Sequence, residues 1–221
     1  MPRLLELFAG TGSMGRAFRD LGWEVISLDI TPGHTIQSDI MDWDYRAAYP
    51  PSFFHAVHAS PPCTQYSCAR RRAKTPRDLE GSDKSVQRTF DIIAFFRPQV
   101  WIIENPLTSL LKSRPVMEGL RHKLRSITYC RYGAPYRKST AIWSNLDEHW
   151  QPRRMCTRWN PCEQVVDGSH PHTAQQGPGK MRGARTATAN DRFSLSQLYA
   201  IPRGLCDELA TASSAAIASD A

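Results

Sequence analysis

Residues Leu4 to Leu21 constrain the fold of this chain more than any other stretch. An apolar run, Leu4 to Phe8, leads into Ala9-Gly10-Thr11-Gly12-Ser13, and a helical pattern follows from Ser13 to Leu21. A strand, a glycine turn and a helix in that order open a βαβ unit of the nucleotide-binding kind. The glycines permit a tight turn and close backbone approach, and the helix start presents unbonded N–H groups. Gly22 closes the helix, and Glu24 to Leu28 predicts a second strand ending in Asp29-Ile30. An acidic residue about twenty positions past the glycine turn suits the hydroxyls of a bound ribose. A plain βα turn capped by Ser13 fits the same residues, so the later strand ends must decide.

Thr35 to Ser38 predicts a short third strand followed by Asp39-Ile40. Phe54 to Ala59 reads as a buried fourth strand despite His55 and His58, and Ser60-Pro61-Pro62-Cys63-Thr64-Gln65-Tyr66-Ser67 ends it. The two prolines fix the backbone just before the cysteine. Arg70-Arg71-Arg72-Ala73-Lys74 then supplies cations that could lower the thiol pKa. Residues Tyr66 to Gly81 lack apolar periodicity and predict a mobile loop. Ser82 to Phe96 carries a helical stripe through Val86, Phe90, Ile93 and Phe96, which is core packing. Val100 to Ile103 is a fifth, buried strand that ends in Glu104-Asn105-Pro106. Carboxylates are seldom buried unless paired or used, which singles out Glu104. A helix over Val116 to Leu124 and a hairpin of Ser126–Tyr132 with Ala141–Trp143 complete this part.

The 221 residues, 41% of them hydrophobic, suffice for one α/β core with a small appendage. A net charge of +7 and a pI near 9.3 favour an anionic partner, nucleic acid before membrane. Six irregularly spaced cysteines argue for a reducing, cytoplasmic setting, and no apolar run approaches membrane-spanning length.

After Asn145 the composition changes. Trp150 to Gly183 is rich in Pro, Gly, Arg and His and cannot bury much apolar surface, so it needs a staple or a partner. Cys156, Cys162, His170 and His172 are candidate ligands for a zinc ion, although C-x5-C with H-x-H is not a standard finger spacing. Cys68, Cys130 and Cys206 read as ordinary buried or incidental thiols. Four units are expected: a catalytic domain over 1–145, a short insert over 146–192, a helical segment over 193–212 that returns to the domain, and a disordered tail over 213–221.

Four chemical elements thus project from strand ends: a glycine loop, acidic residues, a Pro-Pro-Cys and a glutamate. A thiolate that adds to an electron-poor aromatic base, with the ring nitrogen protonated, turns the ring carbon into a nucleophile able to accept a methyl group. In that order the motifs resemble the DNA (cytosine-5)-methyltransferases, over residues 1 to about 145. The resemblance implies a Rossmann-like class I methyltransferase fold, α/β with a mixed, mostly parallel sheet. It also implies S-adenosylmethionine as cofactor, held by Phe8, Ala9, Gly10, Thr11 and Gly12, by Asp29-Ile30 and Asp39-Ile40, and by Pro61. Cys63 resembles the family's nucleophile, and Glu104 the residue that holds the target cytosine. Pro62, Asn105, Arg137, Lys138 and Thr140 would line the base pocket, with Ser67, Arg70, Arg71, Arg72 and Lys74 against DNA.

Three departures accompany the resemblance. Thr64 stands where the family usually has glutamine after the nucleophile, and Thr140 replaces the second arginine of the Gln-x-Arg-x-Arg motif. The insert is far shorter than the usual target-recognition domain, which implies a short or relaxed recognition sequence. The expected molecule is a small, solitary, monomeric enzyme of phage or bacterial type acting on DNA, with no membrane association. Cytosine-5 methylation of tRNA is the alternative inside the family. An amino-group methyltransferase would need no thiol at residue 63, and a binding-only relic would have lost Cys63 or Glu104.

Overall fold

The computed structural model describes residues 1–68, 70, 73–174 and 193–219. Its centre is a seven-stranded sheet in the order β3-β2-β1-β4-β5-β8-β6. The strands are β1 (Arg3–Leu7), β2 (Glu24–Asp29), β3 (Ile36–Gln37), β4 (Ala56–Ala59), β5 (Val100–Pro106), β6 (Leu124–Thr128) and β8 (Ser139–Ser144). The first five run parallel, β8 runs antiparallel to β5, and β6 antiparallel to β8. A parallel sheet is covered on both faces, so its central strands read as apolar runs rather than alternations. All four residues of β4 are buried, as are four of the five in β1.

Each strand sends alternate side chains to opposite faces. On one face Leu4 and Ile102 pack with Met14 and Phe18 of α1 (Ser13–Asp20) and with Leu205 and Leu209 of α5 (Arg203–Ser219). On the other, Leu5, Leu7, Val57 and Ile103 meet Val86, Ile92 and Phe96 of α3 (Leu79–Phe96). The short α2 (Tyr45–Ala48) adds Tyr45 to an edge-to-face aromatic group with Phe95 and Phe96. A small parallel pair, β7 (Tyr136–Arg137) with β9 (His172–Thr173), brings the insert back to the sheet end. The capped turn α4 (Leu195–Tyr199) precedes α5.

Several expectations are corrected. Residues 213–219 are not a loose tail: α5 runs to Ser219, with Ser213 fully buried and Trp23 Nε1 donating to Ser214 Oγ at 3.0 Å. The expected helix over 116–124 is a 3-10 segment, Pro115–Lys123, and Leu124 already belongs to β6. The hairpin pairs β6 with β8, and Tyr129–Tyr132 turns away in a 3-10 turn.

The 66–81 loop is tethered. Tyr66 is fully buried and donates to Asp83, which Arg114 grips through two nitrogens, and Arg77 donates to the Gln65 carbonyl. Its helix also begins earlier than expected, with Asp78 capping it at the Gly81 N–H. No described helix is long and apolar enough to cross a membrane.

Candidate active site

The site forms where β1, β2, β4 and β5 end, at the edge of a cleft of about 490 Å³. Beyond β1 the chain folds back sharply: Phe8, Gly10 and Gly12 all adopt left-handed conformations, with φ of 54°, 49° and 64°. The two glycines take this geometry without steric cost, whereas Phe8 is strained by it. The Gly12 N–H closes the turn on the Ala9 carbonyl at 2.7 Å. The Gly10 N–H donates to Asp29 Oδ2 at 2.8 Å, which binds the glycine turn to the end of β2. Burial would raise the Asp29 carboxyl, but hydrogen bonds from the Thr31 N–H and hydroxyl and from Gly10 outweigh it and hold the pKa below the usual carboxylate value.

Phe8, Ala9, Gly10, Thr11, Asp29, Ile30, Asp39, Ile40 and Pro61 all line this cleft, and Gly12 lies behind it as the cap of α1. Ile30 is 67% exposed at the rim, an apolar surface left open to a flat ring. Asp29 and Asp39 each retain acceptor capacity for hydroxyl or amino groups. The donor set therefore fits a nucleoside-bearing cofactor.

β4 and β5 are neighbours in register, Ala59 opposite Ile103, so the residues following them emerge side by side. Pro62, Cys63, Glu104, Asn105 and Lys138 line the same cleft. Asn105 is 1% exposed and clamps the cysteine loop: its Nδ2 donates to the Pro61 carbonyl at 2.8 Å, while Oδ1 accepts from Ser109 at 2.8 Å. Its amide is thus engaged within the protein. Glu104, also buried, accepts the Tyr129 hydroxyl on Oε1 at 2.9 Å.

Burial, and after it the Glu104 charge, pushes the Cys63 thiol up, against a smaller opposing pull from Lys138. Among the described residues of the arginine-rich run, none acts on the thiol in this way. Arg70 turns to the Thr75 hydroxyl and the Pro76 carbonyl, Lys74 is exposed, and Arg71 and Arg72 lie outside the described residues. Ser67 is half-buried at the start of that loop.

Of the base-pocket candidates past Asn105, only Lys138 reaches the cleft. Its ammonium donates to the Leu198 carbonyl at 3.2 Å and lies 4.7 Å from the Tyr129 ring centre. Arg137 is exposed on β7, and Thr140 is fully buried on β8. Sequence reasoning missed Glu6, His58, Tyr129 and Tyr199. Strand alternation from Leu4 and Leu5 would have placed Glu6 and His58 inside, whereas Tyr129 carries no local signal. Glu6 is pushed up to about 7 by burial, despite a hydrogen bond from the Gly15 N–H and the charges of Arg19 and Arg16.

The zinc candidates are partly regrouped. Cys156, Cys162 and His170 come together with the buried Cys130, their ligand atoms within 4.8 Å of one another, and His172 lies outside this group. His172 sits on β9 with its ring 5.4 Å from that of Phe193.

No family model matches the chain. A protein of Frog virus 3 described as "Probable DNA (cytosine-5)-methyltransferase" is 30% identical over 156 residues, covering 66% of this chain and 71% of the relative. Among solved structures, a prophage-encoded E. coli protein described as a candidate DNA modification methyltransferase superposes with a TM-score of 0.51 at 14% identity, over 72% of this chain and 53% of that one. Fission-yeast Dnmt2 methyltransferase gives 0.47 at 18% identity, over 65% of this chain and 50% of that one. The chain spans about half the length of these solved structures. The prophage protein shows the Rossmann-like methyltransferase fold, and the viral relative shows the lineage: the chain belongs to the DNA (cytosine-5)-methyltransferase family.

Proposed function

We propose that this protein methylates carbon 5 of cytosine in DNA, with Cys63 as covalent nucleophile and Glu104 as the group that manages the proton on the base. One observation carries this reading: Cys63 and Glu104 leave adjacent parallel strands into a single cleft whose other half is the glycine turn with its acidic partners. S-adenosylmethionine, seated against Phe8, Ile30, Asp29 and Asp39, would supply the methyl group to carbon 5.

A cytosine inside a duplex is out of reach, so the base must be extruded into the cleft. There Cys63 Sγ adds to carbon 6 and gives up its proton, while Glu104 holds a proton at ring nitrogen 3. That proton neutralises the negative charge developing on the ring in a site screened from water. Tyr129 fixes the carboxyl by bonding Oε1 and leaves Oε2 for the base. Carbon 5, made nucleophilic by the addition, would take the methyl group as the sulfonium S–CH3 bond breaks and the demethylated thioether leaves, and would then lose its own proton to water. The ring electrons return to form the carbon 5–carbon 6 double bond and expel Cys63 as thiolate. Lys138 supplies positive charge beside the base, where the family pattern has an arginine and this chain has Thr140.

Because the thiol pKa is raised, Cys63 is protonated at neutral pH in the free protein, and adduct formation should accelerate as pH rises toward that pKa. The test uses duplex DNA with 5-fluorocytosine, whose fluorine cannot leave as a proton. A covalent complex should form through Cys63, and Cys63→Ala should abolish both trapping and methylation by at least about 10⁴-fold, in line with loss of other enzymic nucleophiles. Methylation of carbon 5 by Cys63→Ala would refute the mechanism, and transfer to tRNA alone would refute DNA as substrate.

A further inference from the structure

Beyond Trp150 the insert has almost nothing apolar to hold it. Among the described side chains of residues 151–174, those of Cys156 and Cys162 alone are buried. These two meet Cys130, from the 3-10 turn after β6, and His170. The four donor atoms lie within 4.8 Å of one another, and His170 Nε2 stands 3.3 Å from Cys162 Sγ and 3.8 Å from Cys156 Sγ. Tetrahedral zinc, with Zn–S of about 2.3 Å and Zn–N of about 2.0–2.1 Å, requires sulfur–nitrogen separations of roughly 3.5 Å. The observed distances bracket that value, and all three cysteines are free thiols.

We propose that Cys130, Cys156, Cys162 and His170 bind one zinc ion that staples the insert to the 3-10 turn after β6.

The backbone is already shaped for the purpose. Thr157 and Asn160 pair across a tight turn between the two insert cysteines, and the Cys162 N–H donates to Cys156 Sγ at 3.3 Å, a bond that supports a thiolate ligand. Val166 and Ser169 pair across a second turn, whose central residues Asp167 and Gly168 have φ of 49° and 78°, and this turn delivers His170. On binding, three thiols would release their protons to solvent and His170 would enter neutral through Nε2. The resulting site carries one net negative charge, and the Arg131 guanidinium lies beside it, anchored to the Asn160 carbonyl at 2.6 Å. Four protein ligands close the coordination sphere, so the metal is structural and not a Lewis acid for the reaction. Its position matters all the same: Cys130 follows Tyr129, which bonds Glu104.

The test uses the full chain purified under reducing conditions and does not depend on methyltransferase activity. Elemental analysis should find about one zinc per chain, as a single four-ligand site implies. Cobalt substituted for zinc should give the thiolate charge-transfer and tetrahedral d–d bands. Cys130→Ser should lower zinc affinity at least about 10-fold, while His172→Ala should retain zinc. Chelation should open residues 151–174 to protease and spare residues 1–145. Reduced wild-type protein that holds no zinc and gives no cobalt bands would overturn the proposal, whether or not the Cys130 variant folds. Loss of zinc from His172→Ala with retention by Cys130→Ser would overturn the ligand assignment.

Discussion

The sheet and the insert are ordered by opposite means. In the sheet, nearly every strand residue faces one of two apolar layers, and burial of aliphatic and aromatic side chains supplies the stability. In the insert between Trp150 and Ala174, the buried apolar content is two cysteines, while Trp159 is 88% exposed under the Arg158 guanidinium. Fixing each backbone residue costs about 1–2 kcal/mol, which that little burial cannot offset. A structural zinc contributes about 10–16 kcal/mol in small peptides, so the zinc proposed above would offset a substantial part of that cost. The strand ends of the cleft therefore rest on an apolar core, whereas the insert, on the proposal above, would rest on four metal ligands.

The largest expected effect breaks the sheet side of this contrast. Phe18 is fully buried in α1 with its ring 4.8 Å from that of Trp23, edge to face. Phe18→Ala should cost about 3–5 kcal/mol, read as a lowered denaturant midpoint for the whole chain. Chelation of the insert should move that midpoint far less. Equal shifts from the two perturbations would mean that sheet and insert unfold as one unit.

Legibility followed the same division. The strand ends were readable because β1, β4 and β5 are short apolar runs punctuated by glycine, proline and a carboxylate, and each signal is local in sequence. Glu6 and His58 were hidden inside those apolar runs, since a polar residue in a strand does not announce which ligand or helix it faces. The tether of the 66–81 loop was illegible for a different reason: Tyr66, Asp83 and Arg114 lie far apart in the chain and meet only in the fold. The neighbours of Cys130 were illegible likewise. Its partners lie 26 or more positions onward, and ligand spacing alone favoured the nearer His172. The end of α5 was misread because small alanines and serines resemble a tail until Ala212, Ser213 and Ala216 find α1 and the sheet.

A smaller effect sharpens the contrast at the boundary of the two regions. Tyr129 belongs to the site through its hydroxyl and to the insert through its neighbour Cys130. A hydrogen bond to a charged group is worth about 1.5–3 kcal/mol. Tyr129→Phe should therefore slow single-turnover methylation by roughly 10- to 150-fold, with zinc content unchanged because the ring and backbone remain. A fall in zinc content alongside the rate would show that the hydroxyl holds the insert and not the carboxyl.

The smallest effect lies within the sheet and has no counterpart in the insert. Glu6 and His58 sit opposite each other on β1 and β4, both 2% exposed, and neither ring nitrogen of His58 has a hydrogen-bond partner among the described residues. Burial raises Glu6 to about 7 and lowers His58 to about 3. The signs oppose. Folded Glu6 binds its proton more tightly than the unfolded chain does, so its contribution is present below the unfolded value of 4.5 and is lost as pH rises toward 7. Folded His58 resists protonation, so its contribution is present above 6.5 and is lost as pH falls toward 3. Between pH 5 and 6 each group changes stability by about 1.4 kcal/mol per pH unit, and the two slopes cancel. Glu6→Gln should uncover the His58 slope, with stability rising as pH rises; His58→Leu should uncover the Glu6 slope, with stability falling. Urea unfolding of the two variants at pH 5 and pH 6 measures both, and any acid sensitivity of the insert is common to them and drops out of the difference. Parallel slopes would mean that the two side chains share a proton or a water, so that the pair beneath the cofactor cleft titrates as one group.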